Sequence, residues 1–408
     1  MYRKRRLEHL ILSLSRLSPV ILLTGSRQVG KTTLLKHLSK KSRHDYISLD
    51  EFEFRSAAKS DPALFLEKNP APLIIDEIQY APQLLPYIKT RVDQAKGKVS
   101  YWLTGSQQFH LMRGVAESLA GRVAILKLAG FSLAEEKGER SIGLRDMLEK
   151  DSFPAKLPKP RLSDLFSRII RGSFPKLTGN NTLPLETFYG SYVQTYIDRD
   201  LRDLVRVGSL SSFEKFIRLC AARTAQILNL SDLARDSDIT VNTAKEWLSL
   251  LEASNHVFLL QPYYKNISKR LIKAPKLYFL DTGLACYLTG WKEPKSTMNG
   301  AMAGPLFETY VFSEIIKGFW NKGQEAPVWY YRTKEKEEID IIIDVNGKLY
   351  PIEIKLSSKI TASDLKGINS LKKTKMPLGK AIFINSSASP YVIQEGIEAI
   401  PWTILKYL

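Results

Sequence analysis

Short apolar runs alternate with amphipathic stretches through the first third of the chain. Val20-Ile21-Leu22-Leu23 reads as a buried strand, and Thr33-Leu34-Leu35-Lys36-His37-Leu38 then returns apolar side chains at helical spacing. Tyr46 to Leu49, ending at Asp50, Pro72 to Ile75, and Val99 to Thr104 repeat the strand pattern, and Val123 to Leu128 adds a further apolar run. Strands separated by helices predict an α/β fold with a parallel sheet, whose ligands gather at the strand C-termini.

Beyond residue 150 the pattern changes. Asp151 to Pro160 carries three prolines and reads as a linker, after which Leu162 to Arg171 and Leu185 to Leu204 show helical spacing on either side of the turn Gly172-Ser173-Phe174-Pro175. The alternating charges of Tyr196 to Arg202 read as a solvated helix face. Leu228 to Tyr264 reads as a helix-turn-helix with a wing. Ser231 caps a short helix through Ala234, Asp236-Ser237-Asp238 makes the turn, Thr240 caps a second helix through Leu251, and Val257 to Leu260 is the strand that follows. The second helix presents Asn242, Lys245, Glu246 and Ser249 outward, whereas Lys265, Lys269, Arg270, Lys273 and Lys276 make a more basic wing. That balance suits packing between domains better than reading of DNA sequence. A helical pattern starts at Leu306-Phe307-Glu308, and Glu338 to Ile343 and Tyr350 to Lys355 are two further strands. The expected divisions are 1–150, a helical linker or lid at 151–205, a winged helix-turn-helix at 206–295 and a last α/β domain at 296–408.

Composition narrows the partners. A chain of 408 residues and 46.3 kDa holds several cores, and 44% hydrophobic with 25% charged residues is ordinary for folded protein. Lys and Arg number 60 against 42 Asp and Glu, a net charge of +18, with a pI near 9.6. Such an excess favours a polyanion such as nucleic acid, although a diffuse excess also serves solvation alone. Cys220 and Cys286 have no metal-type spacing and fit a reducing interior. The basic Arg3 to Arg6 ahead of leucines has the outline of a signal peptide, but Glu8, His9 and Arg16 interrupt the apolar part. No apolar run is long enough to span a bilayer, and the expected location is the cytoplasm.

The chemistry concentrates in two places. Gly25-Ser26-Arg27-Gln28-Val29-Gly30-Lys31-Thr32, followed by Thr33, meets every fixed position of a phosphate-binding loop between a strand and a helix. The glycines let backbone N–H groups face a β-phosphate, Lys31 reaches the β and γ oxygens, Thr32 ligates Mg2+, and the helix N-terminus adds positive potential. Asp76 and Glu77 close a buried strand, so Asp76 can hold the Mg2+ shell through Thr32 or water while Glu77 polarises the attacking water. The guanine-reading Asn-Lys-x-Asp is absent from the sequence, which favours ATP. Ser106 and Gln107, past the end of a strand, are γ-phosphate sensor candidates. Arg122 reads either as a finger arginine, in cis or across an interface between copies of the chain, or as a surface arginine paired with a nearby acid.

The second place is C-terminal. Asp340, then Glu353 and Lys355 on one face of a strand, form Asp-x(12)-Glu-x-Lys, with Glu308 on the preceding helix. The acids can share a Mg2+ ion, and Lys355 can orient a water or stabilise a developing phosphorane. The plain alternative is a β-hairpin with ordinary polar faces. If an ion is shared, the metal-free carboxylates repel, and Asp340→Asn is expected to stabilise the metal-free chain.

The order of these motifs, with Trp102-Leu103-Thr104-Gly105-Ser106-Gln107, Leu119-Ala120-Gly121-Arg122-Val123 and Tyr278-Phe279-Leu280-Asp281-Thr282-Gly283-Leu284, resembles prokaryotic AAA-family ATPases that carry a C-terminal domain of unknown function with a nuclease-like end. The resemblance covers nearly the whole chain. It implies an AAA-type P-loop ATPase core, a winged-helix middle and a restriction-endonuclease-like terminus, and it implies no substrate. Ala129-Gly130-Phe131-Ser132-Leu133 departs from the Pro-Leu/Phe-Ser segment usual there. Two readings follow: an ATP-driven enzyme acting on nucleic acid, or an ATP-dependent conformational switch for protein partners whose nuclease-like domain does not cut.

Overall fold

The computed structural model describes residues 2–96, 99–105, 115, 117–139, 141–154, 157–179, 182–197, 210–264 and 274–408. Two compact units emerge. The first comprises Met1–Phe131 with the short segments Ala253–Asn255 and Trp320–Gln324, and the second comprises Ser132–Glu252, His256–Phe319 and Glu325–Leu408.

In the first unit, β1 (Val20–Thr24), β2 (Asp45–Ser48), β3 (Leu73–Asp76), β4 (Tyr101–Gly105) and β5 (Val123–Lys127) form a parallel sheet in the order β2-β3-β4-β1-β5. Every residue of β1, β3 and β4 is buried, as expected of central strands covered on both faces. Val20, Leu22, Ile75 and Leu103 of these strands pack with Phe65, Leu85 and Ile88 from the helices. Thr24 pairs with Gly105 and Ile75 with Leu103, so the C-terminal ends of β1, β3 and β4 reach the same edge.

In the second unit, β6 (Gln226–Ile227), β7 (Val257–Leu260) and β8 (Lys276–Phe279) make an antiparallel sheet in the order β6-β8-β7. Helices Leu210–Ala222, Leu230–Asp236 and Val241–Ala253 accompany it. The cap of Leu230–Asp236 is Asn229, which accepts from Ser231 N and Asp232 N at 3.1 and 3.2 Å, and not Ser231. Thr240 does cap the next helix, accepting from Thr243 N at 3.1 Å. The exposed side chains of that helix include Asn242, Lys245, Glu246 and Ser249, as its periodicity predicts.

A mixed sheet follows, built of β9 (Val328–Arg332), β10 (Glu338–Val345), β11 (Lys348–Lys355), β12 (Ala381–Asn385), β13 (Tyr391–Gln394) and β14 (Ile397–Pro401), in the order β13-β14-β12-β11-β10-β9. β10 runs antiparallel to β9 and β11, whereas β11, β12 and β14 run parallel. The β10 register against β9 shifts between Ile339 and Ile342, around Asp340. Residues past Phe131 belong here too: helix Leu133–Lys137 packs on the 3₁₀ turn Trp402–Tyr407, and Ile142 N and Gly143 N donate to Tyr407 O at 2.9 and 3.1 Å. The first unit therefore closes at Phe131, ahead of the proline-rich stretch.

Two segments far apart in sequence meet at Asp281. Its carboxylate accepts from Ser173 N (2.7 Å), Ser173 Oγ (2.8 Å), Tyr189 Oη (2.9 Å) and Leu284 N (2.8 Å), the last capping helix Thr282–Thr289. Gly172 and Gly283 make room: a Cβ on Gly283 would lie 2.1 Å from the Tyr189 hydroxyl, and one on Gly172 would lie 2.2 Å from it. The Gly172-Ser173 turn and the Leu280 to Leu284 segment are thus two halves of one buried joint. Asp281→Ala removes four hydrogen bonds and strands the Ser173 and Leu284 amides, while Tyr189 Oη keeps Arg171 O as an acceptor at 2.9 Å; it should lower unfolding free energy by roughly 2–4 kcal/mol, read as a reduced urea midpoint at unchanged slope.

Candidate functional sites

The loop after β1 is shaped by backbone conformation. Gly25 sits at φ 150°, Gln28 at 62° and Gly30 at 95°, the last leading into helix Lys31–Ser42. Gly25 is obligatory because a Cβ there would lie 2.1 Å from Leu128 O, and Leu128 is pinned by its N–H bond to Thr24 O at 2.8 Å. Ser26 and Val29 are buried, Arg27 and Gln28 half-buried, and Thr33 faces outward. Lys31 is buried, and its ammonium donates to Gly25 O at 2.8 Å and Ser26 O at 3.0 Å.

The acidic pair lies across from this loop. Asp76 Oδ2 accepts from Thr32 Oγ1 at 2.7 Å and from Tyr46 Oη at 2.6 Å, while Asp76 Oδ1 accepts from Thr104 Oγ1. Thr104 also accepts from Glu77 N at 3.1 Å, so one hydroxyl on β4 orients both acids. Glu77 adopts φ 57° and its carboxylate accepts from Gln79 Nε2. Burial first, and then the Asp76 carboxylate, push the Tyr46 phenol far above its usual range, so it stays a donor. Thr104 and Tyr46 escaped the sequence reading; the signal for Thr104 is a lone polar residue at the end of an apolar strand.

Arg5 holds the loop from behind. It is 3% exposed, donates to Val29 O at 3.2 Å and Ala129 O at 2.7 Å, and sits 4.5 Å from the Phe131 ring centroid. Glu8 Oε1 in turn accepts from Arg5 N at 2.7 Å and Tyr2 Oη at 2.8 Å. One member of the basic Arg3 to Arg6 run is therefore a buried part of the scaffold.

Arg122 does not reach the loop in cis. It precedes β5, and its carbonyl accepts from Val20 N at 3.2 Å, which puts it at the N-terminal edge of the sheet, opposite the phosphate loop. Its guanidinium forms a fork with Asp93, Nε to Oδ1 at 2.6 Å and Nη2 to Oδ2 at 3.0 Å, the surface pairing left open by the sequence. Ser106 and Gln107 lie outside the described residues, as do 198–202 of the alternating-charge run and Lys265, Lys269, Arg270 and Lys273 of the basic wing.

The C-terminal candidates do come together. Glu308, Asp340, Glu353 and Lys355 line one cavity of about 660 Å³ within the second unit. Asp340 Oδ2 accepts from Ile354 N at 2.9 Å, and Lys355 turns outward, 3.6 Å from Asp364. Burial pushes Glu353 well above the usual carboxylate range and Asp340 adds to it; burial and Asp340 raise Glu308 to about 7, against the pull of Lys276 and Tyr278. Lys276, grouped by sequence with a basic wing, is 3% exposed and lies among these acids. Among the described residues no three His, Cys, Asp or Glu side chains are arranged to hold a metal ion.

Residues 17–136 match the AAA domain family, residues 162–295 match a domain of unknown function (DUF8612), and residues 303–405 match another (DUF4143). The first match and the loop geometry both support a nucleotide-binding P-loop ATPase domain of the AAA type in this part of the chain. Over 344 residues the chain is 29% identical to an uncharacterized protein of Mycobacterium tuberculosis and to one of Mycobacterium bovis, covering 84% of this chain and 71% of theirs. Among solved structures, the Walker-type ATPase of Pyrococcus abyssi aligns at TM-score 0.45 and 16% identity, over 70% of this chain and 96% of that one. The Thermotoga maritima RuvB Holliday junction branch migration motor aligns at 0.32 and 15%, over 63% and 90%. No helix among the described residues is long and apolar enough to cross a membrane.

The Gly25 geometry yields a direct expectation. Gly25→Ala must shift either the loop or the Leu128 backbone that follows β5, and strain of roughly 1–3 kcal/mol translates to about five- to 150-fold weaker ATP binding. Titration with a fluorescent ATP analogue, with circular dichroism confirming the fold, measures it.

Proposed function

We propose that the chain hydrolyses ATP with Mg2+ at the phosphate loop and uses nucleotide state to switch an interaction module formed by the rest of the chain. The observation that carries this reading is the chain of contacts Thr32–Asp76–Thr104–Glu77, which ties a magnesium-type donor pair to a candidate base through one threonine. Thr32 and Asp76 present adjacent hard oxygens, the donor set that Mg2+ shares with phosphates and water, and these two residues would hold it. The ion supplies charge neutralisation to the phosphates when bound. Backbone N–H groups of Gly25 to Thr33 bind the phosphates, Lys31 turns from the loop carbonyls toward the β and γ oxygens, and Glu77 accepts a proton from the attacking water.

For the remainder, the order helix, strand, two helices and hairpin around β6-β8-β7 supports a winged helix at 206–295. The mixed sheet of β9 to β14 supports a nuclease-like fold at 296–408. The Val241–Ala253 helix exposes one lysine and one glutamate among Asn242, Lys245, Glu246 and Ser249, a balance with no pull toward phosphate, and this favours protein partners over DNA. The net charge of +18 supports a second reading, action on nucleic acid, which predicts that DNA or RNA stimulates ATP turnover. Arg122, if it serves as a finger, does so only across an interface between copies of the chain. The buried thiols Cys220 and Cys286 fit a reducing compartment, and we place the protein in the cytoplasm.

Phosphate-release assays test the core of this. Lys31→Ala, which deletes a cation facing the triphosphate, should lose about 10²-fold or more of turnover. Glu77→Gln should bind ATP as wild type does yet hydrolyse it ~10²- to 10⁴-fold more slowly. Unchanged turnover in folded Lys31→Ala protein refutes the assignment, and unchanged turnover in Glu77→Gln moves the base elsewhere.

A further inference from the structure

Lys276 opens β8 and is almost entirely buried. Its ammonium lies 2.7 Å from Glu308 Oε1, 2.8 Å from Glu338 Oε1 and 3.2 Å from Asp340 Oδ1. Three carboxylates from two elements, helix Ala303–Trp320 and strand β10, thus face the three N–H bonds that a lysine offers. The match extends along β8, because residues two apart share a face. Tyr278 donates to Glu308 Oε1 at 2.5 Å and stacks on Phe312 with centroids 3.9 Å apart, so Lys276 and Tyr278 meet helix positions 308 and 312, one turn apart.

These distances are those of an ammonium and not of a divalent ion, which takes oxygens at about 2.0–2.6 Å. The acids are also committed elsewhere: Asp340 Oδ2 to Ile354 N at 2.9 Å, and Glu338 Oε2 to Arg332 Nη1 at 3.4 Å. Asp340 and Glu308, two of the acids expected to share a metal, are therefore neutralised by a cation that the chain itself carries. The residues present do not fit a bound Mg2+ in this arrangement.

We propose that Lys276 stands in the metal position of the nuclease-like cluster, an internal counter-ion that excludes divalent metal and ties the β7–β8 hairpin to the C-terminal sheet. The cluster is then closed to metal-dependent cleavage for as long as β8 stays seated. This goes beyond the ATPase reading, and its test uses no nucleotide.

Mn2+ binding to the full chain, followed by electron paramagnetic resonance, tests it in wild type, Asp340→Asn, Lys276→Met and the Lys276→Met/Asp340→Asn double variant. Wild type and Asp340→Asn should bind the same amount of Mn2+, Lys276→Met should gain about one ion per chain, and the double variant should lose that gain. Binding in wild type that Asp340→Asn removes, or no gain in folded Lys276→Met, overturns the proposal. Where Lys276→Met fails to fold, Asp340→Asn decides alone. A buried partner lost should lower its melting temperature by several degrees without metal, the reverse of the stabilisation expected from repelling acids, and Mn2+ should not change the difference. A rise in melting temperature overturns the proposal.

Discussion

A charge cannot leave water without a partner, and in this chain that constraint locates most of what is specific. An unpaired buried carboxylate or ammonium costs several kcal/mol, so each such group dictates which segments face it. Asp76 gathers Thr32, Tyr46 and Thr104 from three elements and thereby sets the edge of the parallel sheet. Asp281 gathers a turn, a helix start and a tyrosine. Lys276 gathers a helix and a strand. Hydrophobic burial supplies most of the stability, but apolar contacts are forgiving of small slides, and these polar anchors are not.

The parts of the molecule legible in the sequence are those whose cause is local. The strand, loop and helix around Gly25 to Thr32 follow from hydrophobic spacing and two glycines, and the pairing of Asp340, Glu353 and Glu308 in one cavity follows from strand alternation and one helix position. What the sequence left open or pointed elsewhere has causes far away in the chain. Lys276 belongs to a lysine-rich stretch and reads as part of a basic wing; three acids that follow it by 32, 62 and 64 positions make its burial tolerable. Arg122 lies close in sequence to the candidate sensors, yet it opens a strand parallel to β1 and so sits at the opposite edge, paired with Asp93. The boundary expected near 150 falls at Phe131 because Leu133–Lys137 finds its apolar partner in Trp402–Tyr407, more than 260 residues later.

Thr104 shows how little polar chemistry suffices to connect functions. A single hydroxyl donates to Asp76 and accepts from the Glu77 amide, so the two acids share one mechanical reference on β4. Any displacement of β4 relative to β3 is felt by both at once. The sheet order, which sets β4 between β3 and β1, gives that strand contact with the acids on one side and with the loop-bearing strand on the other.

The seating of Arg5 has a practical side. Residues 2 to 8 are the back wall of the loop, joined to Val29 and Ala129 by one guanidinium and steadied by Glu8 and Tyr2. A substitution at Tyr2, Arg5 or Glu8 therefore touches the architecture behind the loop. A preparation that lost turnover after such a change would look catalytically dead with every recognised motif intact.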